Sequence, residues 1–190
     1  MATVDIHAQT EVHGHDDHEE HDHHGNFWTN YIFCQDHKVI AKQFLITGMA
    51  WALIGGILSV IFRLQLGFPH AKLEWLRPVL GGWLTSDGKI DPEFYLALVT
   101  MHGTIMVFFV LTAGLSGTFS NFLIPLQVGA RDMASGFMNM LSYWFFFLSS
   151  AVMFTSLFIS TGPAGGGWTV YPPLSALPQA VPGSGLGMTL

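Results

Sequence analysis

Apolar residues along this chain gather into three long blocks separated by polar breaks, and the breaks carry nearly all the charge. Residues 43–62 hold no Asp, Glu, Lys or Arg. Twenty residues rise about 30 Å as an α-helix, the thickness of a bilayer's hydrocarbon core. A second uncharged run covers 94–130. Its helical part is expected to stop between Asn121 and Pro125, because Pro125 brings no N–H to the ladder. A helix over 94–123 is roughly 45 Å long and must tilt or project from the bilayer. Residues 139–160 read as a third span, stopped by Gly162-Pro163.

None of the three runs shows the polar face at 3.6-residue spacing that a buried soluble bundle carries. The expected fold class is therefore an all-α integral membrane protein, with three transmembrane helices at about 40–66, 94–124 and 138–161 inside a region 36–162. Residues 1–35 form a polar tail. Residues 163–190 form a Gly/Pro-rich loop in which apolar residues rise again at the end, and it reads as leading to a fourth span beyond the point where the chain is cut. In the first span Gly48, Ala52 and Gly56 recur every four residues, the spacing that lets two backbones approach in lipid. The general glycine richness of membrane helices gives the same pattern without a contact.

Composition sharpens this picture once the charges are located. Half of the 190 residues are hydrophobic and 11% are charged, against about 25% charged in soluble domains; the mean hydropathy is +0.42. The net charge of -6 belongs to the tail: residues 1–25 hold seven acids and no Lys or Arg, so the rest of the chain sums to +1. Seven scattered Lys and Arg exclude a basic nucleic-acid surface. One cysteine, Cys34, excludes an internal disulfide framework and a Cys-rich zinc site. Lys38, Lys42 and Arg131 on one side against Arg63, Lys72, Arg77 and Lys89 on the other leave orientation undecided by charge. The first 25 residues lack the basic and apolar regions of a secretory signal.

Those residues carry His7, His13, His15, His18, His21, His23 and His24, interleaved with acids. Clustered imidazole and carboxylate can bind Zn(II), Cu(II) or Ni(II), but no closed ligand set emerges and a segment this polar cannot order itself. Adventitious binding, metal delivery and no metal role all stay open.

Polar residues at membrane depth are costly and point to function. His102 is the one side chain inside the second span that ionises near neutral pH. It reads either as a structural histidine bonded to a neighbouring helix or as a haem iron ligand, for which neutral imidazole is the usual donor. Asn121 lies nineteen residues further on, about 28 Å along the helix. A hairpin through Pro125, Gly129, Arg131, Asp132 and Gly136 returns the chain to Asn139, so both amides and the Asp132 carboxylate share one mouth. Asp132 also reads as a plain loop ion pair with Arg131. Ser142, Ser149 and Ser156 follow every seven residues, as a water path or as packing serines. Arg63 closes the first span, either snorkelling to the interface or donating to an acidic or carbonyl group of a cofactor.

Several short stretches, taken in order, are similar to the amino-terminal quarter to third of the catalytic subunit of the haem-copper respiratory oxidases, subunit I of cytochrome c oxidase. They are Asp36-His37-Lys38, Ile61-Phe62-Arg63-Leu64-Gln65-Leu66-Gly67, Thr100-Met101-His102-Gly103-Thr104-Ile105-Met106, and Asn121-Phe122-Leu123-Ile124-Pro125-Leu126. Gly129-Ala130-Arg131-Asp132-Met133-Ala134 with Met138-Asn139, and Gly167-Trp168-Thr169-Val170-Tyr171-Pro172-Pro173-Leu174, complete the set. The resemblance covers about residues 36–175 and leaves the histidine tail outside.

The resemblance implies a twelve-helix bundle in the cell (inner) membrane, with its amino terminus cytoplasmic and with proton uptake and pumping coupled to oxygen reduction. Electrons would come from cytochrome c, or a cytochrome-containing donor complex, through a copper centre on subunit II. They would pass to low-spin haem a and then to a high-spin haem facing CuB. The implied partners are the remainder of subunit I, subunits II and III, the donor and the lipid bilayer. His102 looks like an axial ligand of the low-spin haem iron and Arg63 like the partner of its formyl group, with Trp168 and Tyr171 in the loop packed above it. Asp132 matches the mouth of the D proton channel, lined by Asn121, Asn139 and Ser142.

Two positions depart from the family pattern. Phe44 stands where many D-channel members have a tyrosine, and Gln65 replaces a glutamate of a calcium or sodium site, so no such metal is expected there. The CuB histidines, the high-spin haem ligand and the second low-spin ligand fall in later helices, so this chain alone is not catalytically competent. A quinol oxidase or nitric oxide reductase of the same family is the near alternative, and Asp132 with Asn121 and Asn139 argues against the reductase. A non-enzymatic membrane carrier that handles metal with its histidine tail is the distant one.

Overall fold

The computed structural model of the chain describes residues 27–159, 162–177 and 179–180. The histidine-rich segment 1–25 and residues 181–190 lie outside the described residues, and with them the expectations of a disordered metal-binding tail and of rising apolarity before a fourth span. Among the described residues the chain is helical, apart from one isolated bridge between Leu84 and Ile90. Three helices are long and apolar enough to cross a membrane: α1 (His37–Gly67), α2 (Pro92–Val128) and α3 (Gly136–Ser156).

Each helix opens on a residue suited to capping free amides. Asp36 accepts the Lys38 amide at 2.7 Å, Asp91 the Glu93 amide at 2.9 Å, and Ser135 the Met138 amide at 3.4 Å. Pro92 takes a first-turn position of α2, where its missing N–H costs nothing.

α2 runs through Pro125 to Val128, beyond the stop expected at 121–125. A proline removes one ladder bond but leaves the residues after it free to stay helical in a last turn. The helix ends where Gly129 turns left-handed at φ +70°, with the Ala130 amide returning to the Pro125 carbonyl at 2.9 Å. Its centre, Ile105–Leu115, is wound wide as a π-helix. The five-residue step from Phe109 to Gly114 then keeps Ile105, Phe109 and Gly114 all buried. α3 stops at Ser156, short of the expected 161. There the Leu157 and Phe158 amides tighten onto the Phe154 and Thr155 carbonyls.

α1 is the shared wall of the bundle. Its buried face runs His37, Ile40, Phe44, Gly48, Trp51, Gly55, Leu58, Phe62, and its other face shows Ile46, Met49, Leu53, Ile57 and Val60 exposed. An apolar outer face suits lipid or further helices and would be a liability in water. α2 runs antiparallel to α1: Phe44 meets Gly117, Gly48 meets Gly114, and Gly55 meets Ile105 and Met106. α3 stacks Phe146 on Phe44 and sets Tyr143 edge-on to Phe44 and Phe154 edge-on to Trp51. A Cβ on Gly48 would lie 2.9 Å from the Gly114 Cα, so the two backbones touch.

The small-residue face is therefore Gly48 and Gly55, not Gly48 and Gly56, around which nothing lies within 4 Å. The reason is angular: seven residues at about 100° each return within about 20° of the start, whereas eight overshoot by about 80°. Gly48→Leu is expected to weaken the α1–α2 seam by about 1–3 kcal/mol through overpacking. Gly56→Ala should change it by less than about 0.5 kcal/mol. Thermal unfolding of both variants in mild detergent checks the contrast.

Candidate functional site

Two polar places stand at opposite ends of this apolar bundle. The first is His102, half-buried in α2 just before the wide turns begin. Its Nδ1 sits 2.9 Å from the Gly55 carbonyl of α1, and Phe62 closes edge-on over the ring with centroids 5.7 Å apart. A carbonyl partner is an acceptor only, so Nδ1 carries the hydrogen and donates it. Nε2 is left with its lone pair, the tautomer that suits a metal ligand.

The segment after α3 folds back onto this region. The Gly167 amide donates to Thr100 Oγ1 at 2.9 Å, and Trp168 lies against Gly103, where an added Cβ would come within 2.9 Å of the indole. Phe108 meets the same indole edge-on. Trp168 is thus brought against the turn of α2 that follows His102. Tyr171, in the same loop, is exposed, and Val170 between them takes φ +53°, rare for a β-branched residue. Arg63 follows Phe62 but is itself exposed. Gln65, two residues further on, accepts the Ile90 amide at 3.0 Å and ties the end of α1 to the α1–α2 connection.

The second place is the mouth between the start of α1 and the α2–α3 hairpin. His37, 3% exposed, donates from Nδ1 to Asp132 Oδ1 at 2.9 Å, with Asp36 Oδ1 at 3.6 Å. Asp132 is half-exposed, and among the described residues its ion pair is with His37 and not with Arg131. Partial burial pushes its carboxyl up. The bonds from the Met133 amide and from the His37 ring and amide outweigh that and hold it below the usual carboxylate range. Asn121 is 4% exposed; its amide nitrogen donates to the Gly117 carbonyl at 2.7 Å, leaving Oδ1 buried without a partner. Asn139 Nδ2 is likewise buried and unpartnered. An orphaned acceptor and an orphaned donor can each take a hydrogen bond from or to water.

Ser142 is exposed, its hydroxyl turned onto the Asn139 carbonyl at 2.6 Å. Ser149 is exposed as well and only Ser156 is buried, so the seven-residue stripe does not stay on the packed side. The packed side of α3 instead carries Tyr143, whose hydroxyl lies 3.1 Å from Thr47 Oγ1 beside the Phe44 ring. The role of His37 is not readable from sequence: its partner is 95 positions away, and only the fold joins them. Along α1, His37 and Gly55 are eighteen residues apart, so the two polar places stand about 27 Å from each other.

A family model described as "Cytochrome C and Quinol oxidase polypeptide I" matches residues 39–190. The chain is 44% identical over 165 residues to the "Alternative cytochrome c oxidase subunit 1" of Bradyrhizobium diazoefficiens, covering 87% of this chain and 25% of that protein. It is 38% identical over 152 residues to the "Cytochrome c oxidase subunit 1" of Thermostichus vulcanus, covering 79% and 24%. It is 37% identical over 158 residues to the "Heme-copper oxidase subunit I+III" of Aeropyrum pernix, covering 83% and 17%. The chain spans about a quarter of the length of the first two of these curated relatives.

The depressed Asp132 carboxyl fixes the sign of a pH effect. Its contribution to stability is complete above the ordinary carboxylate pKa and is lost as pH falls through the lower native value. Asp132→Ala, which strips the buried His37 N–H of its partner, should cost about 1–3 kcal/mol near neutrality. Thermal midpoints of parent and variant should converge as the solution is acidified below the carboxylate range.

Proposed function

This chain belongs to the cytochrome c and quinol oxidase polypeptide I family, and from that premise we propose that it forms the haem-binding and proton-admitting part of a terminal oxidase's catalytic subunit. The observation that carries the reading is His102, with Nδ1 donated to the Gly55 carbonyl and Nε2 left for a metal.

Haem and copper are the cofactors that the family implies. The residues here fit the haem: an imidazole whose Nδ1 is held by a carbonyl, with Phe62 edge-on to the ring and Trp168 against the neighbouring Gly103. On this reading His102 would hold the iron of a low-spin haem a, Arg63 would bond its formyl group, and Trp168 and Tyr171 would pack against it. Bound there, the haem supplies one-electron transfer. Gly55 holds the imidazole in place, since a buried N–H without a carbonyl would be costly, and Phe62 keeps water from the ring. The second axial ligand, the high-spin haem and CuB would come from the remainder of the subunit.

Protons would be taken up at the other end. Asp132, ionised at neutral pH and bonded to His37 Nδ1, is the site where a proton from the aqueous side first rests. The orphaned Asn121 Oδ1 and Asn139 Nδ2 hold water behind it, and the exposed Ser142 faces the helices that follow. The names of the relatives support cytochrome c as the electron donor over quinol, with subunits II and III as partners. The end bearing Asp132 and the amino terminus would then face the cytoplasm.

Two variants of the intact oxidase test the assignment separately. His102→Ala should abolish the low-spin haem signal; normal haem content would sink the ligand role. Asp132→Asn should leave the haem spectra intact while slowing turnover and proton pumping on the order of a hundredfold, the lower end of what a positioned proton-transfer group contributes. Unchanged turnover would remove Asp132 from the proton path.

A further inference from the structure

Tyr143 carries a buried phenol that neither site uses. It is 7% exposed, one turn inward from Asn139 on the same face of α3. Its hydroxyl lies 3.1 Å from Thr47 Oγ1 of α1. Thr47 stands ten residues past His37, about 15 Å further along α1 from the mouth. This pair differs from other hydroxyls of the bundle in where it bonds. Thr118 and Ser150, buried as well, turn back onto their own helices, to the Gly114 carbonyl at 2.6 Å and the Phe147 carbonyl at 2.7 Å. A hydroxyl bonded in that way has spent its hydrogen. Thr47 and Tyr143 bond each other across the seam, and neither has another protein partner among the described residues. Two hydroxyls bring two hydrogens, and their mutual bond uses one. Whichever donates, the other keeps a hydrogen with no acceptor in the protein, and such a donor calls for water.

The neighbours of the pair join it to the amides of the mouth. The Phe44 ring meets Tyr143 edge-on at 5.3 Å and lies against Gly117 of α2. The Gly117 carbonyl is the acceptor that ties down the Asn121 amide. Asn121, Asn139 and the two hydroxyls are thus brought round one apolar ring by three helices, each with bonding capacity to spare. Phe44 itself offers no polar atom, so water that moves inward past it from the amides is received by the hydroxyls.

We propose that Thr47 and Tyr143 are positioning groups of the proton path, holding the water that carries protons inward past Phe44. The proposal rests on the reading of Asp132 as the point of proton entry. One proton arrives on the oxygen of that water and another leaves it inward. The water then turns back onto the unspent hydroxyl hydrogen, and both hydroxyls keep their own protons throughout.

The test uses the intact oxidase containing this chain, with its haem spectrum as the check of assembly. Tyr143→Phe keeps the ring and removes the hydroxyl. It should slow turnover and pumping about tenfold, the worth of one hydrogen bond, and raise the ratio of rates in water and heavy water, because proton delivery then limits. Thr47→Val should do the same, and Thr47→Ser should restore the parent rate; these two decide the question should Tyr143→Phe fail to assemble. Thr118→Val, which removes a hydroxyl spent within its own helix, should leave the rate unchanged. Added to Asp132→Asn, Tyr143→Phe should slow turnover by less than the product of the single effects, since both act on one path. Parent rates and isotope ratios in Tyr143→Phe and Thr47→Val, beside a slowed Asp132→Asn, would overturn this proposal alone. Parent rates in Asp132→Asn as well would remove the entry reading and the proposal with it. Equal slowing by Thr118→Val, or slowing with an unchanged isotope ratio, would mark lost packing and overturn it too.

Discussion

The contact between the backbones of Gly48 and Gly114 is the constraint on which the other features hang. With no side chain on either residue, α1 and α2 approach until their chains touch. Helices in lipid gain little from burying apolar surface against each other, so close packing and interhelical hydrogen bonds must supply the attraction. One turn toward one end, the same approach presses Phe44 onto Gly117. Two turns toward the other, it brings Gly55 against Ile105 and Met106 and lets its carbonyl reach the His102 ring. A larger residue at the crossing would lift His102 from its carbonyl and leave a polar N–H in an apolar seam. The wide winding of α2 from Ile105 to Leu115 belongs to the same device, since it keeps Gly114 on the face that Ile105 and Phe109 already occupy.

The antiparallel seam also explains why chemistry collects at the two ends of the bundle and not along it. Its middle is filled by apolar rings, with Phe109 meeting both Trp51 and Phe146. At one end an imidazole is held by a carbonyl, with Phe62 edge-on to the ring. At the other a carboxylate, a buried histidine and two amides with spare bonding capacity face the hairpin. The two places stand apart by about the thickness of the hydrocarbon, as the proposed division between a haem at one end and proton uptake at the other requires.

Much of this was legible in the sequence, and the parts that were not share a cause. The uncharged runs reflect local chemistry, and the three helices follow from them. His102 and Asp132 stand out because charge and titratable groups are scarce around them. Whatever depended on a partner far along the chain was hidden: His37 against Asp132, Thr47 against Tyr143, and Gly55 as the contact in place of Gly56. The stop expected at Pro125 failed because one missing N–H does not end a helix, whereas a left-handed glycine does. Ser142 and Ser149 are exposed and only Ser156 is buried, so the serine stripe does not lie on the packed side of α3, where Tyr143, Phe146 and Ser150 sit instead.

The central claim is that this bundle end holds a low-spin haem a through His102. The reduced-minus-oxidised absorption spectrum of the detergent-purified native assembly tests it most directly. The account predicts a haem a band in that spectrum. An assembly that contains this chain intact and shows no such band would contradict it.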